Sequence, residues 1–238
     1  MQAMRTLGQL LSLATFILPS VVGQEKARPG ERSGNATWFT GLGSPYGGCG
    51  VPQANIDSQN FVALNVFRTP GEYGSFPRPV PANLLSKRGE WANGQNRGRW
   101  VRVTLGDFCT GTNDGAPSQP FCRNGAWKQD EFNGATLDFV VADSCADGNG
   151  WCRDDPNHLD LSQSSLNRFQ KEGRAIQGLS AHWNNRQILW EYIPAPNYTG
   201  DLHIGFLENA KAEWTAISIT ASMVWSTKRA PIRGNKPR

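Results

Sequence analysis

At 238 residues the chain has room for one domain of roughly 150–200 residues plus extensions. Its 24 Lys and Arg against 20 Asp and Glu leave a net charge of only +4, and a good part of the positive charge lies at the C-terminal end. The near-neutral body argues against a nucleic-acid partner and favours a neutral polymer or a protein, while plentiful Gly, Pro and Trp favour strands and loops over long helices.

The opening segment MQAMRTLGQLLSLATFILPSVVGQ has a basic start at Arg5, an apolar run from Leu7 to Leu18, a break at Pro19, and small residues at Val21 and Gly23. Residues 1–23 therefore read as a secretory signal peptide. The expectation is a secreted, extracellular protein starting near Gln24, with no membrane segment after cleavage. Residues 24–34 are charged and contain Pro29 and Gly30, which suggests a flexible leader. A strand over Ala36–Thr40 runs into a Gly-rich turn. NFVALNVF is apolar on both alternating faces, as in a strand buried on both sides. A proline-punctuated loop follows. RWVRVTLGDFC then sets Val101, Val103 and Leu105 against Trp100, Arg102 and Thr104, a half-buried strand. After a long loop, TLDFVVAD is a strand with Leu137, Phe139 and Val141 on one face. Leu161, Leu166 and Phe169 approach helical spacing, so a short helix is predicted from a cap at Ser162 to near Gly173. RQILWEYIPAP, GDLHIGFLENA and WTAISITASMVWS read as further strands, and residues 226–238 as a disordered basic tail. The tally predicts a mainly β domain over residues 35–225, a small barrel or sandwich with one or two short helices.

Export makes disulfides expected. The local pairs Cys109–Cys122 and Cys145–Cys152 each close a short polar loop, leaving Cys49 over. No CxxC pattern and no EF-hand ligand order is present, so no metal and no cofactor are expected. Asn35 and Asn197 open glycosylation sequons. The chemistry concentrates in TLDFVVADSCADGNGWCRDDPNHLDLS. Asp143 ends an apolar strand and so emerges at a rim. Asp160 sits between Leu159 and Leu161. A carboxyl in a partly dry place has a raised pKa and donates a proton near neutral pH. Asp160 also precedes the predicted helix, and capping that helix is the structural alternative. Asp147, Asp154 and Asp155 lie in the polar loop between.

The motifs ATWF, VVADSC and HLDLS, with the late strand in WNNRQILWEYI, together resemble the first domain of expansins and of bacterial or fungal expansin-like proteins. The match runs from about Asn35 to Ile193. The resemblance implies a six-stranded double-psi β-barrel with long disulfide-pinned loops and, here, extra C-terminal strands. That fold is shared with family 45 endoglucanases, and barwin-like defence proteins, bacterial papain inhibitors and septal lytic transglycosylases are similar in places. It implies site roles for Asp160, Asp143 and Thr37, with Phe39 and His158 in the same motifs expected to contact ligand; Trp38, Trp127 and Trp151 offer aromatic faces for sugar stacking, with core packing the structural alternative for Trp38 and Trp127. Phe39 stands where family members often carry a hydroxyl. The segment that supplies the family 45 base, NATWFTGLGSPYGGCG, contains no acid. The implied function is therefore wall loosening without hydrolysis by a monomer that binds cellulose or a related glucan. A protein-binding inhibitor or effector and a family 45-like endoglucanase are the alternatives. Full expansins add a β-sandwich of about 90–100 residues, for which the stretch after Ile193 is too short.

Overall fold

The computed structural model describes residues 29–41, 60–112, 114–145 and 149–196, together with the backbone of two strands near the C-terminus. The expected signal segment, Cys49, Asp147, Asn197 and the basic C-terminal residues 226–238 lie outside the described residues. Among the described residues no helix is long and apolar enough to cross a membrane.

Strand formation follows apolar alternation. In β3 (Trp100–Cys109) Val101, Val103 and Leu105 are buried while Arg102 faces solvent, and in β9 (Arg186–Ile193) Ile188, Trp190 and Tyr192 alternate inward. The run buried on both sides is β2 (Phe61–Asn65), every residue of which is buried. With β1 (Arg32–Phe39), β5 (Thr136–Cys145) and β6 (Leu159–Ser162) these strands pair in the order β3, β9, β1, β6, β2, β5, and a β3–β5 pairing returns the sheet to its start. The result is a ring of strands around a core that includes Val62, Leu64, Val103, Phe139, Leu161 and Trp190. Two of the pairings, β1–β6 and β2–β5, are parallel. The short β4 (Trp127–Lys128) extends β3, and the hairpin of β7 (Gln170–Lys171) and β8 (Arg174–Ala175) extends β5. Each fully buried Val, Leu or Phe contributes roughly 1.5–3 kcal/mol of transfer free energy.

Both expected disulfides are present: Cys109–Cys122 and Cys145–Cys152. The second joins the end of β5 to a five-residue helix, α1 (Gly150–Asp154), which Asn149 caps through its side-chain oxygen. On the chain-entropy model, closing loops of these lengths stabilises by roughly 3 and 2 kcal/mol.

Four expectations change. Strand β1 starts at Arg32, inside the expected leader. Its first residue pairs with Trp190, and its guanidinium lies 4.8 Å from the Trp190 ring and 5.1 Å from that of Tyr192. The predicted helix from Ser162 is instead the end of β6 and a 3-10 turn over Gln163–Arg168. The apolar spacing that suggested a helix is met by strand residue Leu161 and by Leu166 and Phe169, three apart, both buried. Gly173 does not end a helix: Glu172 and Gly173, both at positive φ, make the two-residue turn of the β7–β8 hairpin. Finally, the C-terminal strands β10 (His203–Phe206) and β11 (Ile217–Thr220) pair with each other in a separate two-stranded sheet rather than extending the ring.

Candidate functional site

Strand register brings three sequence-distant polar residues into one row. Thr37 of β1 lies opposite Asp160 of β6, Asp160 lies opposite Ala63 of β2, and Ala63 lies opposite Asp143 of β5. Residues directly opposite each other share a sheet face. This face is turned away from the main core, because the alternating neighbours Ala36, Leu159, Leu161, Val62 and Leu64 all belong to that core.

Asp143 reaches the row through an irregularity. Val141 faces the core, and simple alternation would point residue 143 the same way. The β2–β5 register shifts between Val62 and Ala63, so that Val62 opposes Val141 but Ala63 opposes Asp143. The extra residue of such a bulge re-aims the side chains beyond it, here placing a carboxylate on the outer face instead of in the core.

Asp160 does not cap a helix. Its Oδ1 accepts a hydrogen bond from Thr37 Oγ1 at 2.9 Å. Burial, opposed by the Thr37 bond and reinforced by the charge of Asp143, pushes the Asp160 carboxyl up to about 6. Its surroundings are apolar, with Phe39, Phe61, Val140 and Ala142 clustered in the neighbouring positions of the same face. Thr37 and Asp143 are buried and Asp160 is half-buried, so of the three acid-row residues Asp160 is the one that keeps an approach to solvent. Asp143 accepts the Ser144 N–H through Oδ1 at 2.8 Å.

His158, expected to touch ligand, is buried beneath this row. Its Nε2 lies 2.9 Å from Thr37 Oγ1, and its Nδ1 is buried with no hydrogen-bond partner. Burial holds the imidazole well below its ordinary range, at about 3, so it is neutral at physiological pH. Trp151 covers it: the rings stack at 6.3 Å with 13° between planes. Gly115 in turn packs on Trp151, where a Cβ would come within 2.8 Å of the indole. Trp151 is thus half-buried and committed to contacts within the protein, and Phe39 belongs to the apolar cluster. Trp38, also expected to touch ligand, is 39 % exposed but follows Thr37 on β1 opposite core residue Leu161, so it lies on the other face of the strand from the row.

Sequence reasoning missed a clamp beside the row. Asp155 is buried and accepts the Asn35 N–H at 2.6 Å, the Asn35 side-chain amide at 2.9 Å and the Asn157 N–H at 2.9 Å. Burial nonetheless raises its carboxyl. The Asn35 nitrogen that a glycan would occupy is thereby engaged. The Asp-x-Asn spacing of 155–157 was the available signal, since Asp side chains bond backbone two residues on. The sulfurs of Cys145 and Cys152 and a ring nitrogen of His158 lie within 4.8 Å of one another, but the sulfurs are joined as a disulfide and offer no thiolates.

Fold and site together define a mainly β protein whose ring of strands carries an acid row on its outer face. No protein-family model matches the chain, and no curated protein matches it either.

Proposed function

We propose that this is a secreted, expansin-like protein built on a six-stranded double-psi β-barrel, which binds a cell-wall glucan and loosens it without cutting it. The supporting observation is the Thr37–Asp160–Ala63–Asp143 row, with one half-buried carboxyl raised to about 6 among apolar neighbours. A protonated Asp160 donates to a sugar hydroxyl or bridging oxygen, and the ionised form accepts from one. Either exchange competes with the hydrogen bonds between neighbouring glucan chains.

Hydrolysis is the second reading, and one feature favours it. The two acids stand in one row on either side of Ala63, close enough for the charge of Asp143 to act on the Asp160 carboxyl. Inverting glycosidases use two carboxyls, one as acid and one as base. Against it, the base of such a pair must face a water on the open side of the sugar, whereas Asp143 is buried and engaged. Incubation with amorphous cellulose separates the readings. The proposal expects retention of the protein on cellulose with no reducing sugar above background. Sustained sugar release would replace it with hydrolysis, and absence of retention on cellulose, chitin and peptidoglycan alike would favour a protein partner.

A further inference from the structure

Beneath Thr37 and Asp160 lies a buried polar side chain that the proposed binding leaves unused. His158 is 1 % exposed, with one ring nitrogen on Thr37 and the other without a partner. The Thr37 hydroxyl has a single proton and two partners, His158 Nε2 and Asp160 Oδ1, each at 2.9 Å. An ionised carboxylate only accepts, so the Thr37 proton must then go to Asp160. Thr37 can accept from His158 only if Nε2 carries the ring proton, and this network assigns that tautomer. The bare nitrogen is then Nδ1, the one left without a hydrogen bond. The chain of bonds runs in one direction, from His158 to Thr37 to Asp160.

We propose that His158 is a positioning residue: acting through Thr37 Oγ1, it fixes the Thr37 proton on Asp160 Oδ1 and so leaves Oδ2 as the oxygen that meets the ligand. The carboxyl is held in one orientation, and when it is neutral its proton sits on Oδ2, because Oδ1 stays an acceptor. Trp151 stacks over the imidazole, which is itself almost wholly buried. The charged groups around the relay are Asp143, which acts on Asp160 across Ala63, and Asp155, bonded to Asn35 next along the same face of β1. The inference rests on the reading of Asp160 as the ligand-facing acid. It also makes a claim about Asp160 that holds with no ligand present.

The test is an NMR titration of the Asp160 carboxyl carbon in the full chain. The wild-type midpoint is expected at about 6. Thr37→Val removes the bond that favours the charged form and should raise the midpoint by about one pH unit, the equivalent of one hydrogen bond. His158→Phe keeps the stack on Trp151 but removes the donor, and should raise it by part of that amount. In the Thr37→Val background the same change should do nothing further, and His158→Gln, which can present an N–H at the Nε2 place, should restore the wild-type value. A midpoint unmoved by His158→Phe, or moved equally in both backgrounds, overturns the relay. Nitrogen NMR of wild-type His158 gives the answer even if a variant fails to fold: the Nε2–H tautomer supports the relay and the Nδ1–H tautomer overturns it. On cellulose, His158→Phe should lose several-fold retention and His158→Gln regain it. Failure of the wild type itself to bind would instead remove the polysaccharide reading and leave the relay to the titration.

Discussion

Asp160 sits where position and solvation oppose each other, and the consequence is a pH-dependent cost. Its carboxyl moves from an ordinary 3.8 to about 6 on folding. A raised carboxyl binds its proton more tightly in the folded state, so folding is favoured on the acid side and loses that advantage as pH rises from about 4 through about 6. The full difference is on the order of 2–3 kcal/mol, since one pH unit of displacement is about 1.4 kcal/mol. Asp160→Asn keeps an oxygen for the Thr37 hydroxyl and carries no charge. It should therefore be more stable than wild type at about pH 8, by about 2 kcal/mol, with the gap closing toward about pH 4. Urea unfolding at the two pH values checks this, and equal or lower stability of the variant at the higher pH contradicts it. His158, lowered from its ordinary range to about 3 on folding, adds its own pH dependence to both proteins alike, and this cancels in their difference.

The strands hold the row in place through close backbone approach as well as register. Gly34 of β1 meets the chain just before His158: a Cβ there would lie 2.5 Å from the Asn157 carbonyl oxygen and 2.8 Å from its carbon. That neighbour is backbone, pinned by Trp190 Nε1 donating to the same carbonyl at 2.8 Å, and it cannot rotate away. Gly34→Ala should cost about 1–3 kcal/mol by overpacking and weaken cellulose retention by pushing β1 off β6. Unchanged melting and unchanged retention would contradict the packing account. Individual elements differed in how legible they were. The strand at 100–109 is readable because Val101, Val103 and Leu105 alternate with polar neighbours. The roles expected of Thr37 and Asp160 drew them together, and the register places them opposite each other. The facing of Asp143 was not readable, because it depends on a one-residue slip that no local pattern announces. Burial of His158 was equally hidden, since its cover is Trp151, presented by a helix that a disulfide anchors from β5. The helix expected after Ser162 failed because three apolar residues at near-helical spacing also suit a strand end followed by a 3-10 turn.

At the level of the whole chain, the ring of strands supplies rigidity and the loops supply the cover. Arg186 shows how far the interior is committed to structure. It is fully buried, ion-paired with Asp130, and its guanidinium lies between 5.4 and 5.9 Å from the rings of Phe108, Phe132 and Trp183. Breaking such a buried pair costs about 3–5 kcal/mol, so this region is support for the fold and not a second site. Chemistry is left to the outer face, where Asp160 is the half-buried acid of the row. The most direct measurement is the retention of Asp160→Asn on amorphous cellulose at about pH 8, where the wild-type carboxyl is ionised and accepts while the amide nitrogen of the variant can only donate, against wild type in the same buffer, with native circular dichroism established for both. Loss of a charge-assisted bond worth about 1.4 kcal/mol or more predicts at least about tenfold weaker retention of the variant. Equal retention of a folded Asp160→Asn would contradict the account.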